Sequence, residues 1–162
     1  MTARLVAAAS LLVALAGGPA HAAAPQPPVG RWLTKGGSAV IELASCGGAL
    51  CGRIVGIRTD RPGELLPVDW QGEPQCGLTI VQASRHEGDA WFGRITDPRN
   101  GNIWKARLAP APDGTLHLRG YVGIPLLGQT QVWTRYDGAV SQDCQILDTQ
   151  QAMHARSLPS PG

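Results

Sequence analysis

Four cysteines, five tryptophans and four histidines are the side chains with the widest chemical scope in this 162-residue chain. Cys46, Cys51, Cys76 and Cys144 form no Cys-x-x-Cys pair and no paired His spacing accompanies them, so neither a low-pKa dithiol nor a zinc site fits. Behind an export signal an even cysteine number reads as disulfides. Of the three pairings that four cysteines allow, Cys46–Cys51 with Cys76–Cys144 is favoured. Cys46-Gly-Gly-Ala-Leu-Cys51 lies between two apolar strand-like runs, and a tight turn there sets its ends face to face. His86 falls at a turn tip, His117 stands alone on a strand and His154 lies near the end of the chain, so all three read as solvated. His86-Glu87 lacks the second His of a zinc protease helix, and no Ser sits in a Gly-x-Ser-x-Gly elbow. Asp60, Glu64, Asp69 and Glu73 could act as an acid–base pair or bind calcium, but their spacing matches no oxygen-ligand loop and reads as a solvated face. The reading therefore assigns no catalytic residue, no metal and no cofactor.

The aromatic balance says more. Trp32, Trp70, Trp91, Trp104 and Trp133 stand against one Phe and two Tyr, and a buried indole needs a partner for its N–H. Trp70, Trp104 and Trp133 with Arg107, Arg119 and Tyr121 would suit a small apolar or amphiphilic ligand at a barrel mouth. The competing reading lets Trp32, Trp104 and Trp133 simply fill a narrow interior. A third feature is the loop Gly123-Ile-Pro-Leu-Leu-Gly128, whose Ile124, Leu126 and Leu127 stand where polar residues are expected. It frames the mouth together with the 59–77 connection, and it could instead dock an envelope protein partner.

The elements that must position these residues follow from composition and punctuation. Residues 1–22 read as a signal peptide, with Arg4 as the positive region, an apolar run over 5–16 and a small-x-small site at Ala20-His21-Ala22; cleavage follows Ala22 or Ala24. The remainder divides into a Pro-rich leader over 23–29, a barrel domain over 30–144 and a C-terminal segment and tail over 145–162. Without the signal the chain carries thirteen Lys or Arg against twelve Asp or Glu. That balance offers no electrostatic footprint for nucleic acid or an anionic membrane, and no later stretch is long and apolar enough to span one. The expected location is periplasmic or secreted.

Strands are expected near 31–34, 38–44, 50–58, 78–84, 90–96, 102–109, 115–122 and 129–136, separated by Gly36-Gly37, Gly47-Gly48, Gly88, Asn100-Gly101 and Asp113-Gly114. Trp104, Ala106 and Leu108 alternate with Ile103, Lys105 and Arg107; Leu116, Leu118 and Val122 alternate with His117, Arg119 and Tyr121. One dry and one wet face is the pattern of an antiparallel sheet, and closure removes its edges. The expected fold is all-β: a small up-and-down barrel of about eight strands, with a candidate short helix over 144–156.

The motifs Gly30-Arg31-Trp32, Cys46-Gly-Gly-Ala-Leu-Cys51-Gly-Arg-Ile54, Asp97-Pro98 ahead of Gly101, and Gly120-Tyr121 through Leu126-Leu-Gly-Gln-Thr-Gln-Val-Trp-Thr-Arg135 occur in one order. In that order the chain resembles a bacterial exported family catalogued as domain of unknown function 2147, over about residues 30–136. The resemblance implies an exported small β-domain and implies no reaction. The chain departs from the family pattern at Asp60-Arg-Pro-Gly-Glu64, where an Asn-rich run is expected. A second likeness is to lipocalin-type barrels, which open on a Gly-x-Trp whose indole closes the barrel floor beneath an Arg of the last strand. Trp32 and Arg135 hold the matching positions.

Overall fold

The computed structural model describes residues 27–61 and 63–148. The expected signal peptide, the start of the expected leader, His154 and the tail lie outside the described residues. Eight strands run in chain order: β1 Gly30–Leu33, β2 Ala39–Cys46, β3 Ala49–Ile57, β4 Thr79–Glu87, β5 Ala90–Thr96, β6 Ile103–Pro110, β7 Leu116–Tyr121 and β8 Gly128–Arg135. Each pairs antiparallel with the next, and β1 pairs with β8 to close the barrel. The sequence forms these strands because apolar residues recur at every second position between turn glycines. Gly47 and Gly48, at φ 59° and 82°, show why: the β2–β3 hairpin needs left-handed residues at both central positions, which side chains resist.

The interior is built from alternate residues of all eight strands. Trp32, Ile41, Leu43, Leu50, Val81, Leu108, Leu116 and Trp133 are its largest fully buried side chains. Two glycines let the strands approach. A Cβ on Gly52 would meet Leu43 and Val81 across the core, and one on Gly93 would fall on the Gln82 carbonyl oxygen, where β4 carries a bulge between Ala83 and Arg85.

Up-and-down connectivity sorts the connections between two ends. The β2–β3, β4–β5 and β6–β7 hairpins share one end with the start of β1. The β1–β2 turn, the 58–78 connection, the β5–β6 turn and the β7–β8 loop share the other. Closure is brief, since only Trp32↔Arg135 and Leu33↔Thr134 join β1 to β8. Among the described residues, the segment 128–133 of β8 therefore has a strand neighbour on one side alone.

Two expectations change. Among the described residues the one helical turn is a 3-10 turn at Pro125–Leu127. The segment expected to begin a helix at Cys144 is extended instead, with Gln145 bridging Ile57 and Ile146 bridging Val140; the rest of that stretch lies outside the described residues. The physical reason is the edge of β3 beyond Arg53, which β4 leaves free and whose backbone groups this segment satisfies: Ile57 N–H donates to the Cys144 carbonyl and Ile146 N–H to that of Ile57. Val122, expected on the inner face, lies past the end of β7 and is exposed, whereas Tyr121 is buried.

Candidate functional site

The barrel floor is set by Trp32. Its indole N–H donates to the Pro28 carbonyl at 2.9 Å, and the Arg135 guanidinium lies 3.9 Å from the ring centre while donating to the Val29 carbonyl at 2.5 Å. A cation over an aromatic face is worth about 0.5–2 kcal/mol depending on burial. The stack seals one end.

Above the floor the inner wall changes character. The register pairs Leu116 with Trp133, Leu118 with Gln131, and Gly120 with Gln129. Alternation along β8 therefore puts Gln131 and Gln129 on the same inner face as buried Trp133. Both glutamines are exposed, on the stretch of β8 that β1 leaves unpaired. On the adjoining strands Ile95 pairs with Trp104, and a Cβ on Gly120 would lie 3.9 Å from the Trp104 Cβ and 4.0 Å from Ile95 Cγ2. Trp104 is 40% exposed. Ile95, Trp104 and Gly120 on β5–β7 and the two amides beside them on β8 form a candidate cup on the inner face at the loop-rich end. Gln131 accepts the Trp133 indole N–H at 3.0 Å through its amide oxygen, leaving its NH2 group with no acceptor among the described residues. The cup can take an apolar body against Trp104 and offer hydrogen bonds to a polar group.

The sequence-derived candidates divide. Trp104 lines the cup and Trp133 lies beneath it. Arg107, Arg119 and Tyr121 face the outer wall, because they alternate with inward Ala106, Leu108, Leu116 and Leu118. Trp70 sits outside as well, its ring against Gly101 and its backbone N–H donating to the Pro98 carbonyl at 3.1 Å. The 123–128 loop lies against the outer face of β7 rather than across the mouth. Arg119 holds it there, donating to the carbonyls of Pro125 at 2.5 Å and Leu126 at 3.2 Å and to the Thr130 hydroxyl at 2.8 Å. Ile95, Gly120, Gln129 and Gln131 escaped the sequence reading. Counting back by twos from Trp133 would have found the two glutamines.

The cysteines are joined as Cys46–Cys51 and Cys76–Cys144. An open concavity of about 480 Å³ lies beside the first disulfide, lined by Gln82, Ser84 and Arg94. The loop carboxylates serve local turns. Asp69 accepts the N–H groups of Gln71 and Glu73, and Glu64 those of Asp60 and Arg61. No three His, Cys, Asp or Glu side chains among the described residues are grouped to hold a metal ion. Asp97, bonded by Arg99, titrates below the usual carboxylate range and anchors the β5–β6 turn.

Comparison with known proteins agrees with this architecture. The profile of a family described as an uncharacterised protein conserved in bacteria, DUF2147, matches residues 30–135. Among solved structures, a Helicobacter pylori protein described as belonging to the lipocalin family superposes with a TM-score of 0.55 at 12% identity, over 78% of this chain and 95% of its own. No curated protein matches the sequence.

Proposed function

The chain belongs to the uncharacterised bacterial family DUF2147, and from that premise we propose that it is an exported, non-enzymatic protein that binds a small apolar or amphiphilic molecule in the barrel mouth. The observation that carries this reading is the break in the inner wall. Toward the floor the inward Ala106, Leu108, Leu116, Leu118 and Trp133 are buried, and toward the mouth Trp104, Gln129 and Gln131 are exposed. An eight-stranded barrel has room for its own side chains or for one small ligand, and here a glycine and two glutamines stand where bulky apolar residues would fill the space. The lipocalin-type fold of the Helicobacter pylori neighbour supports the same reading. Two disulfides favour an oxidising compartment.

The ligand would lay its apolar part on Trp104 and Ile95 and turn its polar group to Gln129 and Gln131. The test titrates lipids, haem and quinones while following tryptophan emission and the melting temperature. One class should raise the melting temperature and shift the emission. Gly120→Leu, which fills the recess, should abolish that response, and Trp104→Ala, which removes about 2 kcal/mol of apolar contact, should weaken binding some thirty-fold. A panel without response, or a Gly120→Leu variant that binds as the parent does, overturns the reading.

A further inference from the structure

The outer wall of β5, β6 and β7 concentrates positive charge that the whole-chain balance conceals. Arg94, Lys105, Arg107 and Arg119 all project from it, and the register sets Arg94 directly opposite Lys105 and Arg107 directly opposite Arg119. Like charges paired across strands destabilise a sheet. None of the four meets a carboxylate among the described residues, whose ion pairs join Arg31 and Arg53 to Glu42, Arg85 to Glu87 and Arg99 to Asp97. Seven of the twelve carboxylates lie elsewhere, in the 58–78 connection and after β8.

The apolar β7–β8 loop lies against this same wall. Ile124, Leu126 and Leu127 are 55%, 81% and 73% exposed. Yet the loop's four successive carbonyls are satisfied from within. Gly123 accepts from Lys105, Ile124 from the Leu127 N–H, and Pro125 and Leu126 from Arg119. Pro125 has no N–H to satisfy. A loop bathed in water has no need of internal acceptor pairing, whereas one that leaves water does.

We infer that this wall is a docking surface for an anionic phospholipid bilayer, with Ile124, Leu126 and Leu127 entering the headgroup–acyl boundary while Arg94, Lys105, Arg107 and Arg119 meet lipid phosphates. A membrane supplies both an apolar phase for the tip and a plane of phosphates for the wall, whereas a soluble polyanion would use the wall and leave the tip in water. Guanidinium groups suit phosphate oxygens, and the cations that would repel one another in the free protein are relieved on docking. The inference does not depend on the cup.

Flotation with phosphatidylcholine vesicles, with and without phosphatidylglycerol, tests it. The chain is used as recovered from cells, with its N-terminus read by mass spectrometry, and each arm compares variants of that same chain whose melting temperatures match the parent. The expected result is flotation that requires phosphatidylglycerol and weakens with salt, a loss of about five-fold for each of Arg94→Gln and Lys105→Gln, and loss of flotation in Leu126→Asp. Leu126→Trp should show blue-shifted emission on anionic vesicles. Absence of flotation, equal flotation on neutral vesicles, or flotation unchanged in Leu126→Asp overturns the proposal. Retention on a soluble polyanion that ignores Leu126→Asp, without vesicle binding, overturns it too and assigns the wall to an acidic macromolecule.

Discussion

At the scale of single residues, the five tryptophans are not equivalent, and the hydrogen bond of each indole separates them. Trp32 and Trp133 are buried with their N–H groups bonded, to the Pro28 carbonyl and the Gln131 amide. Trp91 buries its N–H without a partner among the described residues, its ring tilted against His86 at 4.8 Å. An unsatisfied buried donor costs about 1–3 kcal/mol, so removing it offsets the loss of ring volume. Trp91→Phe should leave the urea midpoint within about 0.5 kcal/mol of the parent or raise it, whereas Trp133→Phe should cost about 2 kcal/mol, because it loses both packing and a made bond. Equal losses in the two variants would contradict this account. Tyr136 provides a pH-dependent counterpart. Burial lifts its phenol above the ordinary range, against the opposing pull of Arg58 and Arg31, and its hydroxyl donates to the Ala139 carbonyl. The folded state therefore favours the protonated phenol. Its contribution to stability is complete below the ordinary phenol value of about 10 and disappears as pH rises through the folded value. Alkaline titration of tyrosine absorbance should show one group ionising late, and Tyr136→Phe should remove that step and flatten the alkaline decline in stability.

Elements were more legible than sites, for a physical reason. A strand with one dry face repeats apolar residues every second position, and hairpins that need left-handed backbone announce themselves with Gly or Asn-Gly, so all eight strands fall within a few residues of their expected places. The Trp32–Arg135 contact was legible because it depends on first and last strands meeting, a property of closure. What alternation does not announce is where an inner face stops being dry. Gln129 and Gln131 read as solvated residues of a terminal strand, and only the pairing of Gln131 with buried Leu118 shows that they look inward. Arg107 and Arg119 drew attention as convergent polar groups near the mouth, although the same alternation already put them opposite Leu108 and Leu118. The charge balance is silent in a related way. A near-neutral total carries no information about cross-strand neighbours, and two like-charged pairs on one wall arise from register alone. Over 144–148 an amphipathic spacing carries no tertiary term, and an unpaired edge of β3 satisfies that backbone better than an isolated short helix would.

For the whole molecule, the two disulfides divide unequal tasks, and their ranking follows from the loops they close. Cys46–Cys51 spans five residues of a hairpin whose Gly47–Gly48 turn already brings β2 and β3 together, so it restrains little that folding has not ordered. Cys76–Cys144 spans 68 residues and ties the end of the 58–78 connection to the segment that follows β8. That segment otherwise depends on two bonds with Ile57, on the Gln145 amide donating to the Glu64 carbonyl at 3.3 Å, and on contacts of Val140 and Ile146 beside Gly56. In the chain-entropy treatment the short loop contributes about 2 kcal/mol and the long one about 4. Set against a typical domain stability of about 5–15 kcal/mol, the long bridge accounts for a large fraction and the short one for a modest part. Cys76→Ser/Cys144→Ser should therefore shift the urea midpoint about twice as far as Cys46→Ser/Cys51→Ser. Full reduction should approach the sum of the two, since the cysteines of one bridge share no partner with those of the other. The loss should also be uneven in space. Without the long bridge, amide exchange should accelerate first at Ile57 and Ile146, while Leu108, Leu116 and Trp133, held by the barrel ladder on neighbouring strands, keep their protection. Equal midpoints for the two double variants, or exchange that accelerates uniformly through β6–β8, would show that the C-terminal segment is secured by its packing and that the bridge adds nothing to it.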